Sequence, residues 1–262
     1  MDIAGYIASV FIGISLGLIG GGGSILTVPV LVYLFSVDAV LATAYSLFVV
    51  GATSVVGSVS YFRKGLVNIK TAIVFGMPSI AAVFLTRAYI VPAIPDEILH
   101  VGSLVVTRNM ALMLLFAVLM IVASWSMIRK EKVAEEPQRQ QFNYPLILLE
   151  GMVVGTLTGL VGAGGGFLII PALVLLSKIP MKEAIGTSLV IIAAKSLIGF
   201  LGEGSNTHIN WTFLSLVTLF AIVGIFIGAA LSHTINGEKL KPAFGWFVLV
   251  MGIYIIIKEM VL

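Results

Sequence analysis

Apolar residues run along this chain in unbroken blocks. They show neither the two-residue alternation of a half-buried strand nor the stripe of a surface helix. Charges and turn residues cut the chain into eight such blocks, roughly 3–37, 39–62, 71–92, 104–128, 146–177, 184–202, 213–232 and 243–257. A membrane-spanning helix needs about 20 apolar residues. The pattern therefore predicts an all-α polytopic membrane protein with 8–10 membrane segments. A transmembrane barrel would alternate apolar and polar residues.

The blocks fall into two related halves. Shifted on itself by 142 residues, the sequence aligns residues 13–68 on 155–210 without a gap, with 18 of 56 positions identical. GLIGGGGSILTVP (17–29) lies on GLVGAGGGFLIIP (159–171), and Ser46, Ser54 and Gly57 lie on Ser188, Ser196 and Gly199. Shared hydrophobicity alone does not align glycines, prolines and serines together. Internal repeats of this kind are a transporter signature. The expected division is repeat 1 at 1–128, a basic linker at 129–143, and repeat 2 at 144–262. Residues 92–108, with Pro95, Asp96, Glu97 and His100, are semi-polar and suit the membrane interface.

The first block of each half is too long for one crossing. Residues 3–37 would make about 52 Å of helix at ~1.5 Å per residue, against a hydrocarbon core of about 30 Å. Glycine costs about 1 kcal/mol and proline about 3 kcal/mol in a helix. The glycine runs and the following Pro29 and Pro171 thus predict a Gly-broken helix, either re-entrant or two tilted crossings. The basic residues favour a turn-back. With it, Arg63, Lys64, Lys70, Arg129, Lys130, Lys132, Arg139, Lys178, Lys182, Lys239 and Lys241 share one side, and Arg87, Arg108 and Lys258 the other. That 11-to-3 split fits the positive-inside rule. It puts both termini outside and the linker in the cytoplasm, and makes the halves inverted repeats.

Composition narrows the classes further. Hydrophobic residues make up 59% of the 262 and charged residues 10%, where soluble domains carry about 25% charged. Mean hydropathy is +1.14. A cytosolic enzyme, a secreted domain and a disordered chain are excluded. Without cysteine there is no disulfide, thiolate nucleophile or cysteine-held metal. A net charge of +3 gives no reason to expect nucleic acid. Asp2 and the lack of a basic n-region argue against a cleaved signal. The expected partners are a small anion and the lipid bilayer, and a homo-oligomer is compatible with the sequence.

Three sets of residues could carry chemistry. Gly20, Gly21, Gly22, Gly23 and Ser24 in one half, and Gly162, Gly164, Gly165 and Gly166 in the other, can turn backbone N–H groups and a half-helix start toward an anion. The competing reading is close helix packing through small residues. Lys195 lies deep in its block, where a lysine costs about 2.5–3.5 kcal/mol. Its repeat mate is Thr53, so this charge occurs in one half only. It either neutralises a substrate, or snorkels toward the interface, or pairs with Glu150 or Glu203. Ser46, Ser54, Thr187, Ser188 and Ser196 could donate to substrate oxygens, although membrane serines often bond within their own helices. Glu150 is the candidate for a coupling proton, against a plain interfacial placement. Asn68 and Asn210 suit helix caps. Arg87 and Arg108 suit an external vestibule or interfacial anchoring, and Trp125, Trp211 and Trp246 an aromatic belt. No catalytic set, metal site or cofactor is expected: His100, His208 and His233 are scattered, and no ATPase motif is present.

At these residues the chain resembles the TauE/SafE family of sulfite exporters. The resemblance rests on GLIGGGGSILTVP, GLVGAGGGFLIIP and GTSLVIIAAKSLIG (186–199) and covers nearly the whole chain. It implies a transporter of small, often sulfur-containing anions in a prokaryotic inner membrane. The combined expectation is a secondary transporter of a sulfur oxyanion or organosulfonate. It would work by alternating access at a site between the repeats, without enzymatic activity. The alternatives are an anion channel or a carrier for a non-sulfur organic anion and, in another class, a non-transporting assembly or anchor subunit.

Overall fold

The computed structural model describes residues 2–101, 104–128, 144–162, 164–175, 179–202, 209–231 and 237–261. The linker 129–143 lies outside these, as do Ala163, Glu203, His208 and His233. The first half comprises α1 (Asp2–Ile19), a 3-10 turn (Gly20–Leu26), α2 (Thr27–Pro29) continued by a π turn (Val30–Leu34), α3 (Ala39–Arg63) and α4 (Ile69–Leu85). A π turn (Thr86–Ile90), α5 (Val91–Ala93) and α6 (Arg108–Ile128) complete it. The second half comprises α7 (Tyr144–Val161), α8 (Gly166–Leu175), α9 (Met181–Leu201), α10 (Trp211–Leu231) and α11 (Gly237–Val261). Among the described residues, five stretches are long and apolar enough to cross a membrane: Ala39–Arg63, Ile69–Ala93, Arg108–Trp125, Glu183–Leu201 and Trp211–Leu231. Ile3–Leu18, Ser24–Leu34 and Pro145–Val161 are shorter apolar helices.

The glycine runs end helices. α1 stops at Ile19, directly before Gly20, whose φ is +72°. The chain then folds back along α1, so that the Tyr6 and Phe35 rings lie 5.3 Å apart. In the second half α7 stops at Val161 and α8 starts at Gly166. Gly162, with φ +71°, occupies the position equivalent to Gly20.

Helix starts and helix pairing follow the 142-residue spacing. α1, α3 and α4 begin at 2, 39 and 69, and α7, α9 and α10 begin at 144, 181 and 211. The most extensive contacts join α1 to α10, α7 to α4, α3 to α9, and α6 to α11. The first helix of each half thus packs on the third of the other. Small residues allow these pairs to approach closely. A side chain at Gly13 would meet the Ala221 carbonyl, and Gly224 and Gly228 lie against Gly13 and Gly17. Gly155 lies in the same way against Ser79 of α4.

Local signals place the remaining ends. Asp38 accepts from the Val40 N–H at 2.9 Å to start α3. Asn68 accepts from Thr71 and Asn210 from Phe213, both at 3.1 Å, as caps of α4 and α10. The semi-polar stretch forms an antiparallel hairpin, Glu97–Val101 with Leu104–Thr107. Arg108 holds its base through Asp96 at 2.7 Å and the Ile94 carbonyl at 3.2 Å. Trp125, Trp211 and Trp246 are exposed.

Candidate anion site between the glycine turns

Two kinds of glycine separate here. Gly13, Gly17, Gly155, Gly224 and Gly228 sit inside helices and serve packing. Gly162, Gly164 and Gly165 have φ of +71°, +65° and +69° and form a turn instead. Side chains are strained in that conformation. Gly165 also accepts the N–H groups of Leu168 and Ile169 at 3.0 Å, which starts α8. The first N–H groups of a helix have no acceptor within it, and its start carries partial positive charge.

Lys195 is brought to this turn. It lies in α9, three residues past the midpoint of the span Glu183–Leu201, and is fully buried. Its Nζ donates to Thr158 Oγ1 at 3.1 Å. A Cβ built on Gly165 would come within 2.7 Å of that Nζ and 1.9 Å of the Thr158 methyl. Only glycine leaves room for the ammonium beside the turn. The anticipated pair with Glu150 is not formed: Glu150 Oε2 has no hydrogen-bond partner among the described residues. Glu203 lies outside them.

An ammonium offers three donors, and Thr158 takes one. A cation at a helix start is also opposite to the usual preference. The structure thus sets a buried lysine with one neutral acceptor beside the positive end of α8.

The two turns touch. A Cβ on Gly21 would lie 2.6 Å from the Gly166 Cα, and one on Gly166 would meet the Gly21 carbonyl. Gly22 and Gly23 lie within the same 3-10 turn. Ser24 donates to the Gly21 carbonyl at 2.8 Å and so braces its own turn.

The hydroxyls divide into two groups. Thr187 accepts from the Asn68 N–H at 2.8 Å, and Ser188 donates to the Ile185 carbonyl at 2.8 Å. Both have structural work. Ser46, Ser54 and Ser196 are fully buried, and their oxygens have no hydrogen-bond partner among the described residues. Ser46 and Ser54 share a face of α3 with Val50, by their four-residue spacing. The Val50 side chain lies against Gly164.

Arg87 was not singled out for this site by the sequence. It is 1% exposed, and its Nη2 donates to Thr43 Oγ1 at 2.7 Å. Thr43 is packed against Gly162. At the equivalent position of the first half, Gly20 meets the apolar Ile185. Among the described residues, Lys195 thus lies against the second glycine turn and Arg87 reaches it only through Thr43.

Five apolar helices long enough to cross a membrane, packed in pairs, make this an integral membrane protein, and the relatives that follow place it among membrane transporters. The chain belongs to the family described as "Sulfite exporter TauE/SafE", which matches residues 6–255. It is 30% identical over 251 residues to a "Probable membrane transporter protein" of Xylella fastidiosa (strain Temecula1), covering 94% of this chain and 91% of that one. YunE of Bacillus subtilis, also named a probable membrane transporter protein, is 28% identical, covering 92% and 89%. MJ0441 of Methanocaldococcus jannaschii, named likewise, is 26% identical, covering 96% and 94%. No solved structure matches the chain.

Proposed function

We propose that this protein is a secondary transporter of a small anion, of the sulfur oxyanion or organosulfonate type. The observation that carries the reading is Lys195, buried against the Gly165 turn with Thr158 as its hydrogen-bonding partner. The start of α8 and the hydroxyls of Ser54 and Ser196 would add donors to the anion's oxygens. Arg87, held through Thr43 at Gly162, would add a second positive charge. The family's description as sulfite exporters supports a sulfur anion.

The contact between Gly21 and Gly166 suits an occluded state. The turns, and the half-helices that carry them, would separate for an anion to enter. The exchange of first and third helices between halves supports inverted repeats that rock about this contact. On that reading both termini are outside a prokaryotic inner membrane and the linker is cytoplasmic.

The test is flux in proteoliposomes made with the purified chain. Labelled sulfite, thiosulfate, taurine, sulfoacetate and lactate are offered side by side. Saturable uptake of a sulfur anion that competes with the others is expected. Preferred uptake of lactate would move the assignment to non-sulfur organic anions. Absence of flux from a folded, inserted protein would sink transport and favour an assembly subunit.

A further inference from the structure

On one flank of the bundle, α1, the returning arm and α11 enclose a groove of about 610 Å³. That size is typical of a small-molecule site. Its walls are mostly carbon, with Phe11, Leu18, Leu26, Val30 and Met251 among them. Phe11, Phe247 and Tyr254 remain exposed along its mouth, so it opens toward the lipid. Of the two glycine turns it takes in only Leu26, at the end of the first, and none of their glycines.

One end of the groove is polar. The Lys258 Nζ sits 4.1 Å from the centre of the Tyr33 ring. The Tyr33 hydroxyl donates to Glu259 Oε1 at 3.0 Å, and Tyr254 meets Tyr33 edge-on. Along α11 the lining runs from Phe247 to Lys258, which is 258 − 247 = 11 steps. At ~1.5 Å per residue that is about 16 Å, close to half of the ~30 Å hydrocarbon core. The groove is as deep as one leaflet. Its charged end then falls where headgroups sit, and where lysines and tyrosines collect.

We propose that the groove holds an acyl chain of phosphatidylethanolamine, with the lipid phosphate on Lys258 and the ammonium on Glu259. An apolar slot one leaflet deep matches a fatty chain. The adjacent cation and carboxylate match a headgroup that carries both charges. Glu259 opposes a headgroup with net negative charge, and the quaternary ammonium of choline has no N–H to donate to a carboxylate.

The test is native mass spectrometry of the full-length chain, delipidated and then titrated with ethanolamine, choline and glycerol phospholipids of equal chain length. The ethanolamine lipid is expected to bind one-to-one and about fivefold more tightly than the choline lipid, the worth of one partly exposed charge contact. Lys258→Ala should weaken it by a similar factor. Glu259→Gln keeps an acceptor for Tyr33 and should erase the ethanolamine preference. Val30→Trp fills the slot and should remove bound lipid. Equal retention of all three lipids, tightest binding of the glycerol lipid, or a dimer lost in Val30→Trp would each overturn the proposal.

Discussion

Replacing Lys195 by methionine separates function from stability at the proposed site. The side chains are similar in length, so packing in α9 is kept. A lysine near the bilayer centre costs about 2.5–3.5 kcal/mol, and the hydrogen bond to Thr158 contributes about 1.5–3 kcal/mol. Their difference runs from a loss of about 0.5 kcal/mol to a gain of about 2 kcal/mol. The variant should insert, fold and unfold at an equal or higher temperature. Anion binding should behave oppositely. Loss of one charge-assisted contact of about 1.5–3 kcal/mol lowers apparent affinity roughly 10- to 150-fold. Two measurements on the same preparation decide the matter: thermal unfolding in detergent and concentration-dependent uptake in proteoliposomes. Wild-type uptake by Lys195→Met would refute the assignment. So would a large fall in unfolding temperature, because Lys195 would then be a structural residue.

Four other perturbations can be checked. Gly165→Ala places a Cβ 1.9 Å from the Thr158 methyl at φ +69°, and uptake should be lost. Gly65→Ala has a similar φ of +67° but nothing within 4 Å; only strain of about 1–2 kcal/mol applies, and uptake should persist. Thr43→Val removes the acceptor of the Arg87 Nη2 and should lower the unfolding temperature by the equivalent of about 1–3 kcal/mol; an unchanged temperature would show that Thr43 is dispensable to Arg87. The chain has no cysteine, so single cysteines at the exposed Ile3 and Met260 can be labelled without background by a membrane-impermeant maleimide. Both should react from outside intact cells, and protection of Met260→Cys would reverse the topology.

The glycine turns and Lys195 were legible because both signals are local. Four glycines in five positions cannot continue a helix, and one lysine among apolar neighbours stands out in any window. Their meeting was not legible. It depends on Thr158 in α7 reaching α9, 37 residues away, and on Gly21 meeting Gly166 across the halves. Arg87 escaped for a related reason. Near a block end it resembles an interfacial anchor, and only Thr43, 44 residues distant, marks it as part of the interior. The roles of hydroxyls were equally hidden. Thr187 and Ser188 are neighbours of the same chemistry, yet one accepts the N–H of Asn68, 119 residues away, and the other bonds its own turn. The hairpin at 97–107 was missed because strong turn residues within a semi-polar stretch carry no periodicity long enough to read.

The contact between the two glycine turns also bears on how such a chain could arise. A half-length ancestor would have needed a second copy of itself to build this centre. In such a pair every residue occurs twice, so a lysine at the position of Lys195 would have faced an identical lysine across the axis. Joining the halves in one polypeptide removes that constraint. Thr53 now stands where the second lysine would be, and the centre can hold an unequal charge. Covalent fusion here is a licence for asymmetry: a lysine can stand at 195 in one half while threonine stands at 53 in the other.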